Sequence, residues 1–138
     1  MVTSRKIHVQ TKGNGDMIDL TPQIAGEIGN SGIKDGIATV FVMGSTAGIT
    51  TIEYEPRLVA DYRDMWDRVA PRNIPYRHSE TWGDDNGFSH VRASVQGASL
   101  SIPFVTGQMT LGTWQQIVMV DFDTRPRSRD IVIQIMGE

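Results

Sequence analysis

Two histidines, His78 and His90, are separated by eleven residues and bracket Asp84, Asp85 and Asn86. Imidazole and carboxylate are ligands for zinc or another divalent ion such as magnesium. His78, Asp84 and His90 are therefore a candidate metal set, with zinc or magnesium as the expected cofactor. The spacing matches no tight motif such as His-Glu-x-x-His, and histidines this far apart also serve as plain polar structural residues. Glu53 lies between Ile52 and Tyr54 on a strand-like run, so it faces opposite to both. In a pocket it would act as a general base or a metal ligand; at a subunit edge it would pair with an arginine.

A second group of residues suits a phosphorylated ligand. Gly44-Ser45-Thr46-Ala47-Gly48 is a small-residue loop resembling an anion-binding nest, where successive amides surround a phosphate. It lacks the lysine and the spacing of a P-loop, so nucleotide hydrolysis is not supported. A plain tight loop suits the same residues. Arg92 beside His90 is a candidate phosphate partner, and Arg77 a weaker one. Trp114 either stacks a planar ring such as a pyrimidine or packs into the core. Gln115 has both donor and acceptor to offer next to it.

The elements that must position these groups can be read from periodicity. Arg5–Thr11 alternates as a half-buried strand, and Met17–Leu20 follows a Gly-Asn-Gly turn as its hairpin partner. Thr21-Pro22 reads as a helix cap and first position, with the helix ending over Gly29–Gly32. Gly36–Met43 is almost wholly apolar, the pattern of a central strand covered on both faces. Residues 49–55 read as a strand, and Pro56 opens a helix to about Val69 with Leu58, Tyr62, Met65, Trp66 and Val69 at 3–4 spacing. Glu80–Ala93 reads as a long polar loop, the kind of segment that carries sites. His90–Gln96 is read as a short helix, Ala98–Val105 and Gln108–Leu111 as a strand pair, and Trp114–Phe122 and Asp130–Met136 as another. The basic link Thr124–Arg129 is expected to be a solvated hairpin loop. The sum is an α+β fold: a β-sandwich-dominated single domain over residues 1–138, of mainly antiparallel strands with two or three flanking helices.

Composition narrows the functional classes. The chain has 138 residues, enough for a real core. Net charge is -3 with no long Lys/Arg block, so nucleic acid is not expected as a partner. With no cysteine, thiolate nucleophiles and Cys-based zinc sites are excluded. No apolar run approaches the ~20 residues of a membrane span, and Met-Val-Thr-Ser-Arg-Lys lacks the apolar segment of a signal peptide. No membrane partner is expected, and the expected compartment is the cytoplasm.

Three stretches carry a family resemblance: Val42-Met-Gly-Ser-Thr-Ala-Gly-Ile-Thr-Thr-Ile-Glu-Tyr-Glu55, Asn86-Gly-Phe-Ser-His-Val-Arg-Ala-Ser94 and Leu111-Gly-Thr-Trp-Gln-Gln116. With these, the chain resembles the YjbQ family over nearly its whole length. The resemblance implies a β-sandwich with flanking helices, a homotrimer, and a weak, secondary thiamin phosphate synthase activity. Glu53, His90, Trp114 and Gln115 match the family's pattern, which makes Glu53 and His90 the candidate catalytic pair. Gly44, Ser45, Thr46, Arg92, Trp114 and Gln115 are the candidate substrate contacts. Many relatives carry Pro-His-Thr-Thr-Ala where this chain has Met43-Gly44-Ser45-Thr46-Ala47. Gly44 supplies no imidazole, so any role there falls to the loop's amides and hydroxyls. The expected function is thus a small-molecule enzyme on a phosphorylated substrate, aided by a metal. The alternatives are a non-catalytic ligand- or metal-binding or assembly protein and a metal-dependent hydrolase.

Overall fold

Alternating burial sets the architecture of the computed structural model, which describes residues 1–138. Strand β1 (Val2–Thr11) turns Ile7, Val9 and Thr11 inward and leaves Lys6, His8 and Gln10 outside. After β2 (Asp16–Asp19) come α1 (Thr21–Ser31), β3 (Gly36–Met43), β4 (Ala47–Glu53), α2 (Pro56–Val69), α3 (His78–Trp82) and α4 (Gly87–Gln96). The chain closes with β5 (Ser99–Val105), β6 (Gln108–Met109), β7 (Gln115–Asp121) and β8 (Arg127–Gly137). The strands form a five-stranded sheet, β1-β8-β3-β5-β6, and a three-stranded sheet, β2-β7-β4. Every pairing is antiparallel. The α+β, sandwich-dominated fold is as the sequence implies.

Strand β7 explains why there are three layers. Ile117 and Met119 join the main core with Val40, Ile131 and Ile133 of the large sheet and Ile24 and Ile28 of α1. Val118 and Val120 point the other way, into a second core with Val59 and Trp66 of α2, Ala93 of α4 and Phe122. Burying such a side chain stabilises by about 1.5–3 kcal/mol, so the small sheet is covered on both faces, by the large sheet and by α2 with α4. Helix α2 starts where Glu55 accepts hydrogen bonds from the backbone amides of Arg57 and Leu58, ahead of Pro56.

Several local expectations are corrected. The stretch Glu80–Ala93 is mostly helical, with only residues 83–86 between α3 and α4. Gly83 takes a left-handed φ of 74° to end α3, and α4 starts three residues before His90. Strands β1 and β2 are not a hairpin: each belongs to a different sheet, β1 against β8 and β2 against β7. Likewise β7 and β8 do not pair. Thr21 is not a cap; its hydroxyl accepts a hydrogen bond from the Ile117 amide at 2.8 Å, tying α1 to β7. Strand β3 is central, yet Ile37, Phe41 and Met43 on its outer face are exposed, so its apolar run marks an uncovered face rather than a doubly buried one. The basic link is half strand: β8 begins at Arg127, and Arg129 is buried.

Candidate functional site

The chain crosses between the sheets three times at one end of the sandwich, over residues 12–15, 44–46 and 122–126. The register fixes this, since Thr11 lies opposite Arg127, Met43 opposite Asp130, and both Asp16 and Ala47 opposite Asp121. One buried polar network ties the crossings together. Arg129 donates from Nε to Asp121 Oδ2 at 2.8 Å and from Nη2 to Asp121 Oδ1 at 2.9 Å. The same Nη2 reaches Thr46 Oγ1 at 2.6 Å, and Thr11 donates to Asp121 at 2.7 Å. Asp123 accepts from Thr46, the Thr124 amide and Arg127. Burial alone would raise the Asp123 carboxyl, but those three partners outweigh it and hold the group below the usual carboxylate range.

Over this end lies an open cleft of about 450 Å³ lined by Gly44, Ser45, Ala47, His90, Ser94 and Gly97 among others. It joins the small-residue loop to His90, two features far apart in sequence. His90 reaches it from α4, where its carbonyl accepts the Ser94 hydroxyl at 2.8 Å. His78, from α3, packs edge-on to His90 with ring centroids 4.6 Å apart. His90 thus lines the cleft, and His78, packed against it, is not itself among the lining residues. Thr46 is turned inward, its hydroxyl committed to Arg129 and Asp123.

The other candidates go elsewhere. Glu53 lies at the far end of β4 from Ala47, six residues along a strand and so about 20 Å away. It shares a different cleft, of about 460 Å³, with Asp19, Tyr54, Glu55, Trp114 and Gln116. Trp114 is 73% exposed, packed into neither core. Gln115 spends its amide on Thr51 Oγ1 and the Gly112 backbone. Arg92 is buried: its Nε donates to the Ala70 carbonyl at 2.9 Å and its guanidinium stacks on Phe88, so it holds α4 to α2 and does not face the His90 cleft. Arg77 directly precedes α3. Asp84 and Asp85 are exposed and border a third hollow with Asp123, Arg125 and Arg127.

A divalent metal needs more than two donors, and no group of three or more imidazoles and carboxylates is assembled. His78 and His90 alone do not make a closed protein site. The residues that sequence reasoning missed are Arg129 and Asp121. The available signal was the period-two pair Asp121 and Asp123 closing an apolar strand, mirrored by Arg127 and Arg129 opening the next.

The YjbQ-like model of the UPF0047 proteins matches residues 5–138. A UPF0047 protein of Methanothermobacter thermautotrophicus is 35% identical over 137 residues, covering 99% of this chain and 94% of the relative. The UPF0047 protein YugU of Bacillus subtilis is 33% identical, with 96% and 98% covered. Among solved structures, a YbjQ-like protein of unknown function from Sulfolobus solfataricus superposes with a TM-score of 0.94 at 33% identity, covering 100% of this chain and 99% of that one. A hypothetical protein from Aeropyrum pernix gives 0.91 at 29% identity, with 99% of each chain covered. From residue 5 to its last residue, then, this chain belongs to the UPF0047, YjbQ-like family.

Proposed function

We propose that the His90 cleft binds a small phosphorylated molecule and that His78 and His90 handle protons there. The observation that carries this is the imidazole pair, with ring centroids 4.6 Å apart, beside a cavity walled by Gly44 and Ser45. Imidazole is the side chain best suited to give and take protons near neutral pH. The family resemblance names one reaction to assay, thiamin phosphate formation, in which a C–N bond forms between a pyrimidine methylene and a thiazole phosphate as the C–O bond to pyrophosphate breaks. In this reading His90 protonates the leaving pyrophosphate, and the cavity holds the two halves together. A divalent ion would take its remaining ligands from outside this chain's imidazoles, so no step is routed through it. The test is thiamin phosphate formation by wild type and His90→Ala. A loss of about 100-fold or more is expected; equal turnover in the variant would remove His90. A second reading, binding without turnover, is favoured by the absence of any carboxylate from the cleft wall. Ligand binding by an enzymatically silent wild type would select it.

For the assembly, we propose the homotrimer that the family resemblance implies. Val2, Met136, Ile37 and Pro103 lie side by side across β1, β8, β3 and β5. All four are exposed, forming one apolar row on the outer face of the large sheet, with β1 as an open edge. Exposed rows and edges of this kind are what partner subunits cover. Light scattering at micromolar concentration is expected to give three times the chain mass; a monomer would reject it.

A further inference from the structure

A guanidinium carries five N–H donors, and Arg129 uses only three of them inside the protein. The donor on Nε and one on Nη2 hold Asp121 side-on, and the other on Nη2 holds Thr46. Both donors on Nη1 are without a partner, although the side chain is only 8% exposed. Nη1 is not among the polar atoms sealed from solvent without a partner, so its two donors are open to an acceptor from outside the protein. The position of Nη1 indicates what that is. A Cβ placed on Gly44 would stand 2.5 Å from it, so the guanidinium occupies space that any other residue at 44 would claim. Gly44 is exposed and forms part of the wall of the His90 cleft. The guanidinium, not itself among the residues that line the cleft, therefore lies against a wall position that has no side chain to screen it.

We propose that Arg129 Nη1 is the anion-reading donor of the His90 cleft, reached past Gly44, and that the group it reads is a compact oxyanion such as a phosphoryl group. This rests on the ligand site proposed above and deepens it by assigning where the ligand's charge sits. The Asp121 carboxylate fixes the plane of the guanidinium and so aims Nη1, while the charge of Asp121 offsets much of the long-range attraction. Recognition is consequently short-range and geometric, through two charge-assisted hydrogen bonds. Ser45 at the cleft wall is placed to add a hydroxyl to the same anion.

The test uses inorganic phosphate on the full chain, followed by calorimetry and by arginine side-chain NMR on 15N-labelled protein. Saturable binding that shifts the Arg129 guanidinium signals is expected. Gly44→Ala, which intrudes on Nη1, is expected to weaken binding about tenfold or more with the fold retained. The proposal is overturned if phosphate does not bind, binds without moving the Arg129 signals, or binds Gly44→Ala and wild type equally. Should Gly44→Ala fold poorly, the wild-type arginine spectrum decides alone. The two proposals fail separately. Loss of turnover in His90→Ala with no Arg129 response sinks the anion seat, whereas an Arg129 response with turnover unaffected by His90→Ala sustains it and sinks the role given to His90.

Discussion

Strand β4 has a different character at each end. At Ala47 it meets buried charges, paired imidazoles and a cleft formed between the 44–46 crossing and α4. At Glu53 it meets an open, acid-rich cleft with Asp19, Glu55 and an exposed tryptophan. Asp19 and Glu55 are already engaged there, Asp19 by Gln116 and the Thr21 amide, Glu55 as the cap of α2. The difference teaches that residue types suited to chemistry do not make a site until the backbone brings them together. In a sandwich, the crossings between sheets do that. Strand length keeps Glu53 about 20 Å from Ala47, at the other end of β4 from the His90 cleft, however suggestive its chemistry.

Breaking the network should produce the largest effect. Asp121→Ala leaves the buried Arg129 without its bidentate partner and with only the longer 3.9 Å ion pair to Asp123, and denaturant unfolding is expected to register a loss of about 3–5 kcal/mol. A loss below about 1 kcal/mol would mean the two ends of β4 differ less than their burial implies. Next comes His90→Ala, expected to cut turnover about 100-fold while unfolding barely changes.

A third prediction sharpens the packing of α4 against α2, which fixes where His90 points. Burial pushes the Tyr62 phenol up to about 12, against opposing pulls from Trp66 and Arg92, and its hydroxyl donates to Gln96 at the end of α4 at 2.7 Å. A raised folded value favours the neutral phenol, so this contribution is full below the ordinary value near 10 and is lost as pH climbs toward 12. Tyr62→Phe should remove that alkaline loss in pH-dependent melting. The acid side has the opposite sign. The lowered Asp123 carboxyl contributes stability above the ordinary carboxylate range, and that contribution disappears as pH falls through its folded value. Asp123→Asn should flatten the acid limb. The smallest effect belongs to Glu53→Gln. Its exposed carboxylate has no hydrogen-bond or ion-pair partner, so stability should stay within about 0.5 kcal/mol and turnover within about twofold.

How far the fold could be read depended on whether the pattern was local. Strands such as Arg5–Thr11 and Gly36–Met43 and the stripe of α2 were legible, because alternation and 3–4 spacing are properties of neighbouring residues. Sheet membership was not. Whether Met17 pairs with β1 or β7 depends on a crossing turn that looks like a hairpin turn in the sequence. The Glu80–Ala93 segment hid α3 and the first turn of α4, since Gly, Asp and Asn serve equally as helix boundaries and as loop interior, whereas the helix over His90–Gln96 was legible. At the site, His90 and Gly44–Ser45 were identified from residue type, and the fold brings them to one cleft. Arg129 was invisible among the arginines of a basic link, because only the register of β8 turns it inward.

The most direct test of the account is where a phosphate ligand is felt. Backbone amide shifts followed during a phosphate titration should move at residues 44–47 and 90–98, together with the Arg129 guanidinium, and stay still at Glu53 and Trp114. Shifts centred on Glu53, Trp114 and Gln116, or none at either end, would contradict it.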